Sequence, residues 1–118
     1  MRKIYYLPHC TTCQKVVAQL NKGRGFEMQN IKEESIKAKE LDFLRKEKGS
    51  YEALFSRRAM KFRSLGLHEK NLSEKDYRKL ILQEYTFLKR PTVVIDDEVF
   101  VCTTKKEVQA AIAKLKNG

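Results

Sequence analysis

The chain has 118 residues, a size at which one domain buries roughly two thirds of its unfolded surface and folds without disulfide or metal. Apolar residues make up 42% and charged residues 34%, a globular mixture that excludes intrinsic disorder, and no apolar run approaches the ~20 residues that span a bilayer. Twenty-five Lys and Arg against fifteen Asp and Glu give a net charge of +10, which draws anions to the molecule and equally keeps a solvated surface self-repelling.

The first eight residues combine a basic start with only four consecutive apolar residues, Ile4 to Leu7. That is too short for a signal peptide, so the expected compartment is the cytoplasm. Residues 2–7, rich in Ile and Tyr and stopped by Pro8, predict a strand. Residues 10–21 predict a helix with Val16, Val17 and Leu20 on one face, Thr11 or Thr12 as its cap and Gly23 at its exit. Residues 26–31 alternate as a second strand. Strand, helix and strand within about thirty residues form a βαβ unit, with parallel strands and a right-handed crossover.

Residues 35–87 read as mostly helical. Ile36, Leu41 and Leu44 mark one helix ending at Gly49; 51–55 is a short turn or helix; 59–65 is another helix, closed by Gly66. Ser73 caps a third, with Tyr77, Leu80, Ile81 and Tyr85 on its apolar side. The chain then returns to β. Residues 92–95 are a β-branched run, 96–98 a turn and 99–102 an antiparallel partner. Thr104 to Glu107 matches a T-x-x-E capping box and opens a helix carrying Val108, Ala111, Ile112 and Leu115. This order predicts an α/β fold: a single domain over 1–118, its four-stranded mixed sheet built from 1–31 and 88–118, with 32–87 inserted as a helical block.

Cys10, Cys13 and Cys102 are three cysteines, an odd number that does not fit a secreted disulfide framework. A zinc site needs about four ligands, and the second half of any ribbon or finger pattern is missing, so no metal is expected. Cys10 and Cys13 form C-x-x-C where the first strand meets the first helix. A sulfur there faces unpaired backbone N–H groups and the positive end of the helix dipole, which favour the nucleophilic thiolate. The spacing puts Cys13 one turn deeper. Cys10 is therefore expected to attack and Cys13 to resolve the mixed disulfide, the redox reading of such a pair.

Pro91 stands directly before the β-branched run, a place open to proline only at a strand start or bulge. In a thioredoxin-like sheet a cis-proline stands there, opposite the cysteine pair. Lys89 and Arg90 bring positive charge with it, and Arg90 has the planar fork that holds two oxygens at once. Its plainer role is pairing with a carboxylate such as Glu84. His9 could lower the thiol pKa of its neighbour Cys10, His68 reads as a surface residue, and Cys102 as a buried strand residue. The basic excess has neither aromatic interleaving nor a helix-turn-helix signature, so direct nucleic-acid binding is not expected.

Three segments together are distinctive: Pro8-His9-Cys10-Thr11-Thr12-Cys13, Ser56-Arg57-Arg58-Ala59-Met60-Lys61-Phe62-Arg63 and Leu88-Lys89-Arg90-Pro91. In this order and spacing they resemble the arsenate reductase (ArsC) and Spx family over essentially the whole chain, and most of all its ArsC-related members with a C-x-x-C motif. The resemblance implies a thioredoxin-like fold, a nucleophile at Cys10, and an anion-binding Arg90 before cis-Pro91. It places Thr12, Arg58, Arg90 and Pro91 at a substrate site for an oxyanion or small thiol. Reductases of the family draw electrons from glutathione and glutaredoxin; thioredoxin is the other donor to consider. Thr103 stands where those reductases carry a further arginine, and Cys102 where Spx-like members show glycine. The Spx branch instead implies a regulator that binds the C-terminal domain of the RNA polymerase α subunit and uses the cysteine pair as a switch.

Overall fold

A computed structural model describes residues 1–117; Gly118, with which the expected core segment 88–118 ends, lies outside the described residues. Four strands form one mixed sheet in the order β2-β1-β3-β4: β1 (Arg2–Tyr6), β2 (Glu27–Asn30), β3 (Thr92–Ile95) and β4 (Glu98–Val101). β1 runs parallel to β2 and antiparallel to β3, and β3 antiparallel to β4. This is the thioredoxin-like arrangement expected from the βαβ and ββα halves. The helices are α1 (Thr11–Gln19), α2 (Ala38–Lys48), α3 (Met60–Ser64), α4 (Glu74–Gln83) and α5 (Lys105–Asn117). The chain divides into two compact units, Met1–Glu34 with the segment from Arg90 onward, and Ser35–Lys89.

In the sheet unit, Ile4, Val93 and Phe100 stand in register across three strands. With Ile95 they form a buried cluster with Val16 and Leu20 of the α1 segment and Ala111 of α5. Val108, Ile112 and Leu115 pack against it, so the face expected for the last helix is the one that is buried. Of the two strands flanking the final turn, β3 has its expected range and β4 starts one residue earlier than expected. Asp96 and Asp97 take φ of 51° and 71°, a two-residue turn whose left-handed backbone matches strand twist. Glu98 thus becomes the first residue of β4, paired with Ile95. Cys102 falls just past the strand, still fully buried, with its N–H donated to the Pro91 carbonyl at 3.0 Å.

α1 also departs from expectation at both ends. It stops at Gln19 because Asn21 and Lys22 both turn left-handed at φ 56°; Gly23 belongs to that following turn and not to the helix exit. Its N-cap is Cys10 and not a threonine. In the helical unit, α2 ends at left-handed Gly49 and α4 opens on a Ser73/Asp76 capping box, both as the sequence indicates. Ile36 is buried but precedes α2, and Tyr85 belongs to a short 3-10 turn, Tyr85–Phe87. The Glu84 carboxylate accepts from Lys61 at 2.7 Å and from the Thr86 hydroxyl at 2.7 Å.

Candidate functional site

The segment from Leu7 to Cys10 is a tight turn that swings the chain from β1 into α1. The Cys10 N–H donates to the Leu7 carbonyl at 3.2 Å, and the Cys10 carbonyl accepts from Gln14 N–H at 3.0 Å. Cys10 has extended backbone angles, as an N-cap must, and its Sγ accepts the Cys13 N–H at 3.4 Å. The sulfur thus does what a serine oxygen does at most helix starts: it satisfies one of the first-turn amides. The amides of Thr11 and Thr12 lie at the same end, where the dipole is positive.

The two thiols sit in different environments. Cys10 is partly exposed and Cys13 is buried. Burial pushes the Cys13 thiol up to about 12; the hydrogen bond and charge of Cys10 add to the rise, while a backbone hydrogen bond with Leu7 and the Arg90 guanidinium pull the other way. Desolvation wins because the charged sulfur would lose its water. Cys13 is therefore a protonated thiol at neutral pH, and all three cysteines are reduced in this structure.

Arg90 is half-buried with its Nε shut off from solvent, and its charge reaches Cys13. The Arg90–Pro91 peptide is cis, as the thioredoxin-like reading requires, and Pro91 is buried. Cys10, Thr12, Cys13, Arg90 and Pro91 all belong to the sheet unit, with Thr12 exposed on the first turn of α1. Arg58 lies in the helical unit, exposed in the turn before α3. Its neighbour Arg57 is committed elsewhere, to Glu52 at 2.7 Å and to the Tyr77 hydroxyl at 2.8 Å. Thr103 is exposed in the turn after β4, its N–H on the Val101 carbonyl. His9 is exposed in the turn before Cys10.

One contributor is not visible from motif spacing. The Gln14 side chain donates its amide to the Pro8 carbonyl at 2.8 Å and so ties the first full turn of α1 back to the residue that ends the strand segment. A Gln one residue after C-x-x-C is the only sequence signal for it. Among the described residues no three His, Cys, Asp or Glu side chains converge as metal ligands, and no helix is long and apolar enough to cross a membrane.

The ArsC family model matches residues 5–111. The chain belongs to the ArsC family. Solved structures agree on the fold. An arsenate reductase from Vibrio cholerae is 20% identical, covers 95% of this chain and 95% of its own, and superimposes with a TM-score of 0.77. An arsenate reductase (ArsC) related protein from Brucella melitensis is 26% identical over 92% of each chain, with a TM-score of 0.69. A Staphylococcus aureus protein is 25% identical over 93% of this chain and 97% of its own, with a TM-score of 0.76. No curated protein sequence matches the chain significantly. This ArsC-family chain differs from a plain single-thiol site in carrying a second, buried sulfur one helical turn below the first.

Proposed function

We propose that this ArsC-family protein is a thiol–disulfide oxidoreductase of the arsenate reductase type, with Cys10 as nucleophile and Cys13 as resolving cysteine. The observation that carries this reading is the asymmetry of the pair: Cys10 is the partly exposed sulfur capping the helix, and Cys13 is the buried thiol held up at about 12. Cys10 Sγ displaces one oxygen of arsenate as water and forms a sulfur–arsenic bond. Cys13 Sγ then attacks Cys10 Sγ, and the electron pair of the sulfur–arsenic bond leaves with arsenic as arsenite. The dithiol has become a disulfide, arsenic has gained two electrons, and the thiol hydrogens end in the water released. An external thiol, glutathione with glutaredoxin or thioredoxin, returns the disulfide to dithiol. Arg90 holds the oxyanion through its fork; Thr12 and Pro91, in the same sheet unit, complete the substrate site of this reading.

The second reading, a redox-switched regulator of the Spx kind in the cytoplasm, is favoured by the charge of +10 beside the same cysteine pair. One experiment separates the two. Arsenate-dependent NADPH oxidation is followed with glutathione and glutaredoxin, or with thioredoxin, beside binding to the C-terminal domain of the RNA polymerase α subunit. Turnover that vanishes in Cys10→Ser, and that vanishes also in Cys13→Ser because the reaction stops at the Cys10 sulfur–arsenic adduct, supports the reductase. Polymerase binding that changes with the oxidation state, without turnover, replaces it with the regulator.

A further inference from the structure

A cleft of about 470 Å³ opens on the sheet unit beside α1, with Leu7, Pro8, Val17 and Met28 among its walls. Its volume falls within the range of small-molecule sites, and its lining has their character: apolar walls with a few polar groups. Met28 belongs to edge strand β2 and is 37% exposed, so its apolar side chain is open to an occupant of the cleft.

The rim is built from the turn after α1. Lys22 lines the cleft and is held left-handed at φ 56°, ψ 27°, a conformation that costs a non-glycine residue energy. Among the described residues Lys22 takes part in no ion pair. Gly23 follows at φ +81°, where a Cβ would stand 3.2 Å from Met28 Sδ and 3.5 Å from Val17 Cγ1. A side chain there would crowd Met28 and only touch Val17. The turn thus holds one cation at the mouth of an apolar cavity and keeps the cavity open behind it.

We infer that this cleft binds a small amphipathic anion, an aliphatic carboxylate whose chain lies against Leu7, Val17 and Met28 and whose head group pairs with Lys22. Charge complementarity chooses the head, and the apolar walls choose the tail. The site is separate in chemistry from an oxyanion held by Arg90, since arsenate has no apolar surface to bury. Cys13 also lines this cleft, so an occupied site covers the thiol that the proposed resolving step uses. That consequence rests on the proposed function; the binding itself does not.

The probe is decanoate, with octanoate and decanol beside it, titrated into the reduced full-length protein and followed by calorimetry and amide chemical shifts. Saturable binding is expected. It strengthens about fourfold for each methylene added until the cleft is full, the factor that burying one methylene gives. Lys22→Asn removes the charge while suiting the left-handed backbone, and is expected to weaken decanoate severalfold and leave decanol unchanged. Ala18→Phe, at an exposed helix position that lines the cleft, is expected to abolish binding with its circular dichroism intact. No saturable decanoate binding, or binding that survives Ala18→Phe, overturns the site. Decanol binding as tightly as decanoate, or indifference to Lys22→Asn, overturns the anionic head. Loss of turnover in Cys13→Ser together with intact decanoate binding shows that the two readings stand or fall separately.

Discussion

From Arg2 to Val101 the sheet unit is tied by backbone ladders: every residue of β3 pairs with β1 on one side and β4 on the other. The helical unit, Ser35–Lys89, has a single antiparallel bridge, Phe55 with Leu88, and is held instead by side chains. Its centre is aromatic. The Phe55 ring lies 5.0 Å from Phe87, 4.8 Å from Tyr77 and 5.9 Å from Phe62. Around it run polar ties: Asp42 accepts from Arg78 and from the Tyr51 hydroxyl, and Glu74 accepts the Tyr51 and Glu52 amides. A ladder depends on every residue a little, because any backbone can make it. An aromatic cluster depends on few residues a great deal, because only their shapes fill the space. The two units should therefore respond differently to single substitutions.

The largest effect is expected at Phe55, which is fully buried. Phe55→Ala should cost about 3–5 kcal/mol, the transfer of a phenyl ring plus the cavity it leaves. Denaturant unfolding measures the loss, and hydrogen exchange locates it. Protection should fall first among residues 35–89. Equal loss in β1 and β3 would mean that the two units open together, and the contrast between them would be gone.

Next comes Arg90, on the sheet side, where the expected effect is on binding and not on the ladder. Arg90→Ala should weaken sulfate or arsenate by tenfold or more, since a charge-assisted hydrogen bond contributes about 1.5–3 kcal/mol. Arg90→Lys should recover only part, because the fork is lost. The same sheet unit should show the thiol contrast. At neutral pH iodoacetamide should modify Cys10 and leave Cys13, and Cys13 should begin to react only as pH climbs toward about 12. The linkage has a definite sign. The folded thiol titrates above its ordinary value of 9.0, so the protonated form belongs to the fold, and its contribution is complete below about 9 and lost as pH rises toward about 12. Labelling of Cys13 at the rate of Cys10 would reverse the roles.

How far the sequence disclosed this molecule differs between the two units for the same physical reason. β-branched runs such as Thr92-Val93-Val94-Ile95 mark a strand by themselves, and the places of the cysteine pair at a helix start and of the proline before β3 are readable because backbone geometry fixes them. The misses in the sheet unit are at turns. Asp-Asp tolerates left-handed angles without advertising them as Asn-Gly does, so the sequence pattern starts β4 one residue late. A cysteine is not a usual cap, so the sequence points to Thr11 or Thr12 where the structure has Cys10. In the helical unit the longer helices are legible from Gly49 and Ser73, and the turn at Glu52–Leu54 falls within the expected 51–55, whereas the 3-10 turns at Leu67–Glu69 and Tyr85–Phe87 are too short for a period to show. The Gln14 tie and the Asp42 cluster are long or side-chain specific contacts, which no local pattern encodes. Arg58 matched a motif, yet motif matching cannot say what the side chain touches.

The smallest expected effect sharpens the contrast from the helical side. Asp42 accepts two bonds from Arg78, at 2.8 and 3.1 Å, and one from Tyr51. The Arg78 hydrogen bonds, then that of Tyr51, hold its carboxyl down at about 2, against an ordinary 3.8. The Asp42 and Arg78 side chains are 46% and 38% exposed, so water screens the pair and the contribution should be about 1 kcal/mol or less. The sign follows from the lowered value. The folded unit prefers the carboxylate, so its contribution is present above about 4 and fades as pH falls toward about 2. Asp42→Asn should remove it at neutral pH and leave the variant and the parent converging in stability at the acid end. The same comparison at Asp96, whose carboxylate meets Arg2 at 3.3 Å on the sheet side, should show a smaller loss, because the ladder from Arg2 to Ile95 holds that corner without the ion pair. If Asp96→Asn proved the more damaging, the side-chain tie would matter as much to the sheet as to the helices, and the division between ladder and cluster would have to be redrawn.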